Sequence, residues 1–369
     1  MVKKEEEEGT VHLSYDVLEH FTADVFMKLG VPPDDADVCA EVLSYADRRG
    51  ISSHGVNRLK PFYYDRIRKG QQSADAEMSI VRDGPTTAVI DGRFGMGFPV
   101  GKRSMQLAID KAKKYGMGMV AVRNSTHYGA AGYYATMAAA SGMLGITGTN
   151  ARPSVAPTFG TEAMLGTNPF TIAFPTDEEF PFVLDCATSI WQRGKIEYYA
   201  REGRQVPEGL VIGEDGSTLT DSSEILKALI TGKAALLPLG GPGEDTAGYK
   251  GYGYSTVVEV LSSALQGGPF LKAITGVNVG HFFMAVDISS FTTMDEFERS
   301  AGEVMRQLRG SRKAHGYGRI YTAGEKEHIH MVSTRERGAP INVSLQGEIL
   351  TMRDEMGLIK YKFPFEKKT

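Results

Sequence analysis

Cysteine is nearly absent from this 369-residue chain: Cys39 and Cys186 are the only two. Two thiols cannot build a disulfide framework, and such sparing use fits a reducing compartment, so a cytoplasmic protein is expected. A long apolar run is missing too, which excludes a membrane-spanning helix. Residues 1–9 carry Lys3, Lys4 and four consecutive glutamates without the apolar centre of a signal peptide, and read as a frayed, solvated leader. Charge of one sign is scarce: 41 basic against 45 acidic residues leave a net charge of −4, so neither nucleic acid nor a membrane surface is an expected partner. The one basic stretch, Arg66, Arg68 and Lys69, reads as a solvated helix end. There is no His-Glu-x-x-His or Cys-x-x-Cys pattern. His328 and His330 alternate as on one strand face without an evident third ligand, so no metal is expected. Gly-x-Ser-x-Gly, the nucleophile elbow, does not occur.

What is present is ordinary globular composition, 41% hydrophobic and 23% charged, at a length that suits two domains. The first part reads as helices: Ser14 to Leu29 ended by Gly30, a second from Pro32 and Pro33 to about Arg48, and a third from about Val56 to Arg68. From about Thr86 the pattern changes. Strands at 87–90, 117–122, 144–149, 170–174, 182–184 and 281–288 alternate with helices at 101–115, 132–141 and 255–264, which predicts an α/β domain with a mixed sheet. Thr293 and Glu296 have capping-box spacing for a helix to about Leu308. The last helix, about Ser344 to Met356, is expected to pack back on the N-terminal helices.

Several segments could carry chemistry. Gly92, Gly95, Gly97 and Gly101 follow a strand and open a helix, but the last glycine falls one residue late for a dinucleotide fingerprint, and Pro99 sits inside the turn. Tight turning and helix packing is the better reading of these glycines. Asn124-Ser-Thr-His127-Tyr-Gly129-Ala130 joins a buried strand to a small-residue helix, where unpaired N–H groups suit an anion such as a pyrophosphate. Gly129 and Ala130 would let a ligand approach the backbone, and His127 could donate a proton; a helix-capping loop is the plainer reading. Arg49, Ser53, His54 and Arg58 combine a proton shuttle with guanidinium forks for a carboxylate, though a polar interhelix loop reads the same way. Asp185 at a strand end can cap a helix, hold a ribose or orient an imidazole. Lys250 lies between glycines in an expected loop, and Ala323-Gly324-Glu325 by itself reads as a strand-end turn.

Taken in order, Arg49-Gly-Ile-Ser-Ser-His-Gly-Val-Asn-Arg58, Asn124-Ser-Thr-His-Tyr-Gly129, Gly166-Thr-Asn-Pro169, Leu184-Asp-Cys-Ala-Thr-Ser189, Tyr249-Lys-Gly-Tyr-Gly253 and Gly280-His-Phe-Phe283 resemble the type 2 malate/L-lactate dehydrogenase family, whose relatives include sulfolactate and ureidoglycolate dehydrogenases. The resemblance implies a non-Rossmann, sulfolactate dehydrogenase-like α/β fold. A mainly helical domain would form from both chain ends (1–83 and 326–369) and a mixed-sheet cofactor domain from 84–325. It also implies a homodimer and a nicotinamide cofactor, NAD with NADP possible. Cofactor-binding motifs match Gly129, Ala130, Asp185, Cys186, Ala187, Thr188, Lys250, Gly324 and Glu325. The proton-transfer histidine matches either His54 or His127, and the carboxylate-binding arginine matches Arg58, with Arg49 beside it.

The expected function is hydride transfer between NAD(P) and a small 2-hydroxy acid/2-keto acid pair, malate/oxaloacetate first. His54 is favoured for the proton because Arg58 follows four residues on, His127 is its rival, and Asp185 is expected to orient the imidazole. Arg123 would suit a cofactor 2′-phosphate. The alternatives are a reductase of a cyclic imine or sugar-derived diketo acid at the same site, a non-catalytic nucleotide-binding protein, and a Rossmann enzyme using Gly95 and Gly97.

Overall fold

The structure, a computed structural model, describes residues 8–366; most of the acidic leader lies outside the described residues. Strand β1 (Val11–Leu13) leads into α1 (Tyr15–Lys28) and α2 (Pro33–Arg48). Their bounds follow the sequence signals: Gly30 turns the chain with φ +92°, Pro33 opens α2, and Asp34 and Asp35 face its positive end. The third helical stretch is irregular, a 3₁₀ turn Val56–Arg58, a π-helical segment Leu59–Tyr64, then α3 (Asp65–Arg68). Pro61 lies inside the π segment; without an N–H it cannot continue the α-helical ladder.

The α/β body follows: β2 (Ser79–Asp83), β3 (Thr87–Asp91), α4 (Gly97–Tyr115), β4 (Met117–Ser125), α5 (Gly132–Ala140), β5 (Met143–Thr149), β6 (Phe170–Phe174) and β7 (Phe182–Cys186). Next come α6 (Arg193–Arg201), β8 (Val211–Gly213), α7 (Ser222–Thr231), β9 (Ala234–Leu236), α8 (Gly248–Leu261), β10 (Val279–Asp287) and α9 (Met294–Gly310). The chain closes with α10 (Glu325–Thr334), β11 (Ala339–Ile341) and α11 (Val343–Glu355). The seven-stranded sheet has order β2-β3-β4-β10-β5-β6-β7. Only β3 and β4 pair in parallel; every other pair is antiparallel. A Rossmann sheet is parallel throughout its nucleotide-binding half, so the mixed sheet sets this chain apart.

α4 and α5 pack on the sheet and against α2, and one apolar core runs from Leu13 and Phe21 through Phe98, Tyr134 and Phe283 to Ile349 and Phe363. The chain ends meet: β1 pairs antiparallel with β11, and Phe21 packs edge-on against Tyr361 and Phe363. A smaller core around Ile196, Val211, Ile225 and Leu236 belongs to α6, β8, α7 and β9, elements too short to stand out as apolar periodicity.

Three elements differ from expectation. α4 begins at Gly97, because Pro99 falls in its first turn where a missing N–H costs nothing. α8 begins at Gly248, so Lys250 is on a helix and not in a loop; Gly248, Gly251 and Gly253 masked it. Gly251 is required there, since a Cβ would lie 2.2 Å from the Leu239 carbonyl oxygen. His328 and His330 lie on α10 rather than on a strand, and two residues apart on a helix they point to different faces. Gly324, read as a strand-end turn, instead starts that helix at φ +90°.

Candidate active site

The loop between α2 and the irregular helix, and the loop after β4, bring the two candidate histidines together. The rings of His54 and His127 stack with centroids 5.6 Å apart. His127 is tied down: the Gly129 N–H donates to its Nδ1 at 3.2 Å, and the Tyr63 hydroxyl lies 2.6 Å from the same nitrogen. A backbone N–H can only donate, so Nδ1 is an acceptor, Tyr63 donates to it as well, and the proton of the neutral ring sits on Nε2. His54 has a looser hold, a single contact of 2.9 Å between Nδ1 and the Ser53 hydroxyl. Burial and Arg58 push the His54 pKa down to about 4. Burial, His54, Arg58 and Arg66 push His127 well below the ordinary imidazole value. Both rings are therefore neutral in the free protein at pH 7.

The loop under His127 is braced from behind. His281 of β10 is fully buried, stacked on Tyr128 at 4.3 Å. Its Nδ1 lies 2.8 Å from the Thr149 hydroxyl and its Nε2 3.2 Å from the Thr126 carbonyl oxygen. Gly97 lets α4 approach the same loop: a Cβ there would fall 2.2 Å from the Thr126 carbonyl oxygen. Gly92 and Gly95 likewise abut backbone, which is the packing role the sequence favoured for them.

Arg58 stands beside the imidazoles. Its Nε donates to the Ser53 carbonyl at 2.7 Å and its guanidinium lies over Phe62 at 4.7 Å. Among the described residues it has no acid partner. Arg49 does not join it: the Arg49 guanidinium stacks on Tyr45 at 3.6 Å and feels Glu327 of α10. Sequence reasoning missed Arg66. It is no freely solvated helix end, but half-buried and 4.3 Å over the ring that Arg58 also covers, Phe62. Its signal was faint: eight residues after Arg58, it is brought to the same aromatic by the widened π turn.

Asp185 corrects an expectation. It bonds neither imidazole; its carboxylate accepts from the Gly132 N–H at 2.7 Å and the Thr171 hydroxyl at 2.9 Å. The helix N-terminus expected to hold a pyrophosphate is thus capped by Asp185 itself. Asp185 lies on an exposed edge strand, yet burial of its carboxyl raises the pKa, against the pull of those two donors. Gly129 has φ +78° and faces Phe98 and Val42, and Ala130 is buried. Arg123 pairs with Asp91 at 3.1 Å and is not free for a 2′-phosphate.

The remaining cofactor candidates gather along edge strand β7. Gly324 abuts Pro181 and Val183, and Glu325 is buried between Arg309 and Arg319. Cys186 ends the strand half-buried, and burial raises its thiol pKa. Ala187 follows, then buried Thr188, whose carbonyl accepts from Leu239 at 2.8 Å. Beside Thr188, the Asn168 Oδ1 and Ser189 Oγ are buried without partners. Lys250, one residue from the glycine that packs on Leu239, is exposed and makes no ion pair among the described residues.

A sequence profile of the malate/L-lactate dehydrogenase family matches residues 13–349. The chain belongs to that family. It is 44% identical over 357 residues to a malate dehydrogenase of Pyrococcus horikoshii, covering 95% of this chain and 97% of that one. It is 38% identical to an L-sulfolactate dehydrogenase of Methanocaldococcus jannaschii, over 91% and 94% of the two chains. The crystal structure of malate dehydrogenase from Entamoeba histolytica superimposes with a TM-score of 0.93 at 42% identity, over 96% of this chain and 100% of that one. The expected fold, α/β with a mixed sheet, and the expected oxidoreductase class both stand.

Proposed function

We propose that this dehydrogenase interconverts malate and oxaloacetate with NAD, in the cytoplasm and as a homodimer, with His127 as the acid–base group. The observation that carries the reading is the pair of neutral, stacked imidazoles beside an arginine that no acid neutralises. A nicotinamide cofactor, held along β7 by Asp185, Thr188 and Lys250, would supply or take the hydride at the substrate C2. Arg58 grips the C1 carboxylate through its guanidinium fork, which points the C2 oxygen at the imidazoles.

Proton handling follows from the electrostatics. Burial depresses both imidazole pKa values in the free protein, aided by Arg58 at both rings and by Arg66 at His127. A bound keto acid cancels that positive charge, so an imidazole gains a proton as substrate binds. His127 is better placed than His54 to pass it on, because Tyr63 and Gly129 keep its Nδ1 turned inward and leave Nε2 for the substrate oxygen. When His127 is charged, the Tyr63 hydroxyl can rotate to accept from Nδ1–H, so one residue serves both states. In reduction the charged ring gives its Nε2 proton to the developing alkoxide and keeps the proton on Nδ1, donated to Tyr63 in place of the 3.2 Å Gly129 contact; in oxidation that tautomer takes the hydroxyl proton at Nε2. The two free cysteines support a reducing compartment. Tyr249, Tyr254, Val257 and Val260, exposed along α8, support a face covered by a second copy.

The test is oxidation of NADH and NADPH, followed by absorbance, against oxaloacetate, pyruvate and phenylpyruvate. Turnover fastest with NADH and oxaloacetate is the expected result. No turnover with any keto acid, while NADH still binds, would overturn the reading and favour reduction of a cyclic imine or a diketo acid.

A further inference from the structure

A 2-keto acid brings one carboxylate to Arg58, yet the cleft holds more positive charge than one carboxylate needs. Phe62 carries two guanidiniums, Arg58 at 4.7 Å and Arg66 at 4.3 Å from its ring centre. Both cations are thus within roughly 9 Å of each other, each being under 5 Å from the same ring, where stacking on an aromatic face is favourable. The Phe62 ring also lies 5.7 Å from the His127 ring, so the second guanidinium borders the reaction centre. A third, Arg152, follows β5 closely enough for its charge, together with burial, to lower the Arg66 pKa. None of the three has an ion pair among the described residues, although 45 acidic side chains were available to the chain. Gathering unpaired like charges around half-buried Arg58 and Arg66 is unfavourable unless something external neutralises them.

We propose that Arg66, backed by Arg152, forms a distal anion subsite that selects 2-keto acids carrying a second acidic group. The proposal rests on the keto-acid reading above. In oxaloacetate two carboxylates are joined by a carbonyl carbon and a methylene, a span that serves the two guanidiniums carried by Phe62. The aromatic ring holds both forks flat and limits water between them, which strengthens each charge-assisted contact. A sulfonate offers the same acceptor oxygens and would be accepted by the same subsite. A keto acid ending in a methyl group would leave Arg66 unpaired and bury apolar surface against cations, so the subsite discriminates by attraction and by rejection together.

The experiment compares oxaloacetate with 2-oxobutanoate, which replaces the distal carboxylate by a methyl group, at constant ionic strength with NADH. In Arg66→Gln the ratio of the two kcat/KM values is expected to fall roughly 10- to 100-fold, the loss of a charged hydrogen-bonded contact, with a smaller fall in Arg152→Gln. An unchanged ratio in both variants would overturn the subsite. A second readout needs no turnover: the thermal midpoint of the NADH-bound protein with malonate against propionate. Wild type is expected to be protected more by malonate, and Arg66→Gln equally by both. If no keto acid is reduced but this difference appears and vanishes in Arg66→Gln, the reaction is wrong and the subsite stands. Equal protection of wild type by the two acids overturns the subsite.

Discussion

Two arginine clusters of this protein are built from the same residue type and treated in opposite ways. Between β7, α9 and α10, three guanidiniums meet carboxylates: Arg306 holds Asp177 at 2.9 Å and Glu178 at 3.3 Å, and Arg309 and Arg319 close on Glu178 and Glu325. In the cleft by the histidines, Arg58 and Arg66 meet only aromatic faces and a backbone carbonyl. The first cluster is complete and holds elements together. The second is incomplete among the described residues, and the partner proposed for it is an anion from outside. The proposal that these arginines bind substrate is therefore read from the absence of acids around them, not from the arginines themselves.

That contrast can be broken experimentally. The largest effect is expected at the imidazole the unpaired cluster surrounds: His127→Asn should lower kcat with oxaloacetate by roughly 10²–10⁴-fold, the usual worth of a positioned acid–base group, while His54→Asn costs clearly less. Steady-state NADH oxidation reads both, and the reverse order would return the role to His54. Next, Arg58→Met should reduce kcat/KM about 100-fold for every 2-keto acid alike, the loss of a bidentate charged contact, with the thermal midpoint little changed. Arg309→Met should do the converse. It leaves Glu178 short of a partner and is expected to cost about 1–3 kcal/mol in denaturant unfolding, below the range for fully buried pairs because solvent reaches part of the network, with KM for the keto acid unaltered.

The smallest effect lies under the cleft loop. Asp47 accepts the Val56 N–H at 2.9 Å, and burial raises its pKa from 3.8 to about 7. Between those values the folded chain keeps a proton that the unfolded chain has released. This group thus weakens the fold progressively as pH rises from about 4 to about 7, and fully above that. Asp47→Asn keeps an acceptor without the charge. It should be more stable than wild type by ~1–2 kcal/mol at pH 8, with the gain fading to nothing near pH 4 in urea titrations.

Much of this was legible in the chain. The 3.6-residue periodicity and the Gly30 and Pro33 signals located α1 and α2, and short β-rich runs located the central strands. Residues 49–58 and 124–129 declared His54, His127 and Arg58 as types suited to proton and carboxylate chemistry. What stayed hidden depended on contacts far apart in sequence. Asp185 looked like an orienter of imidazole, but only the folded chain shows it capping α5 at Gly132. Tyr63 carries no motif and acts solely because the π turn aims it at His127. Arg66 and Arg68 are indistinguishable as letters, yet one stacks on Phe62 and the other pairs with Glu355. Helix α8 was obscured by glycines whose purpose, close approach to Leu239, exists only in the tertiary structure.

The account stands most directly on where an anion goes. A crystal structure with NADH and tartronate, a non-reducible dicarboxylate hydroxy acid, would decide it. The account predicts one carboxylate on Arg58, the other toward Arg66, and the hydroxyl within hydrogen-bonding distance of the His127 Nε2. Tartronate bound elsewhere, with Arg58 and Arg66 still bare, would contradict it.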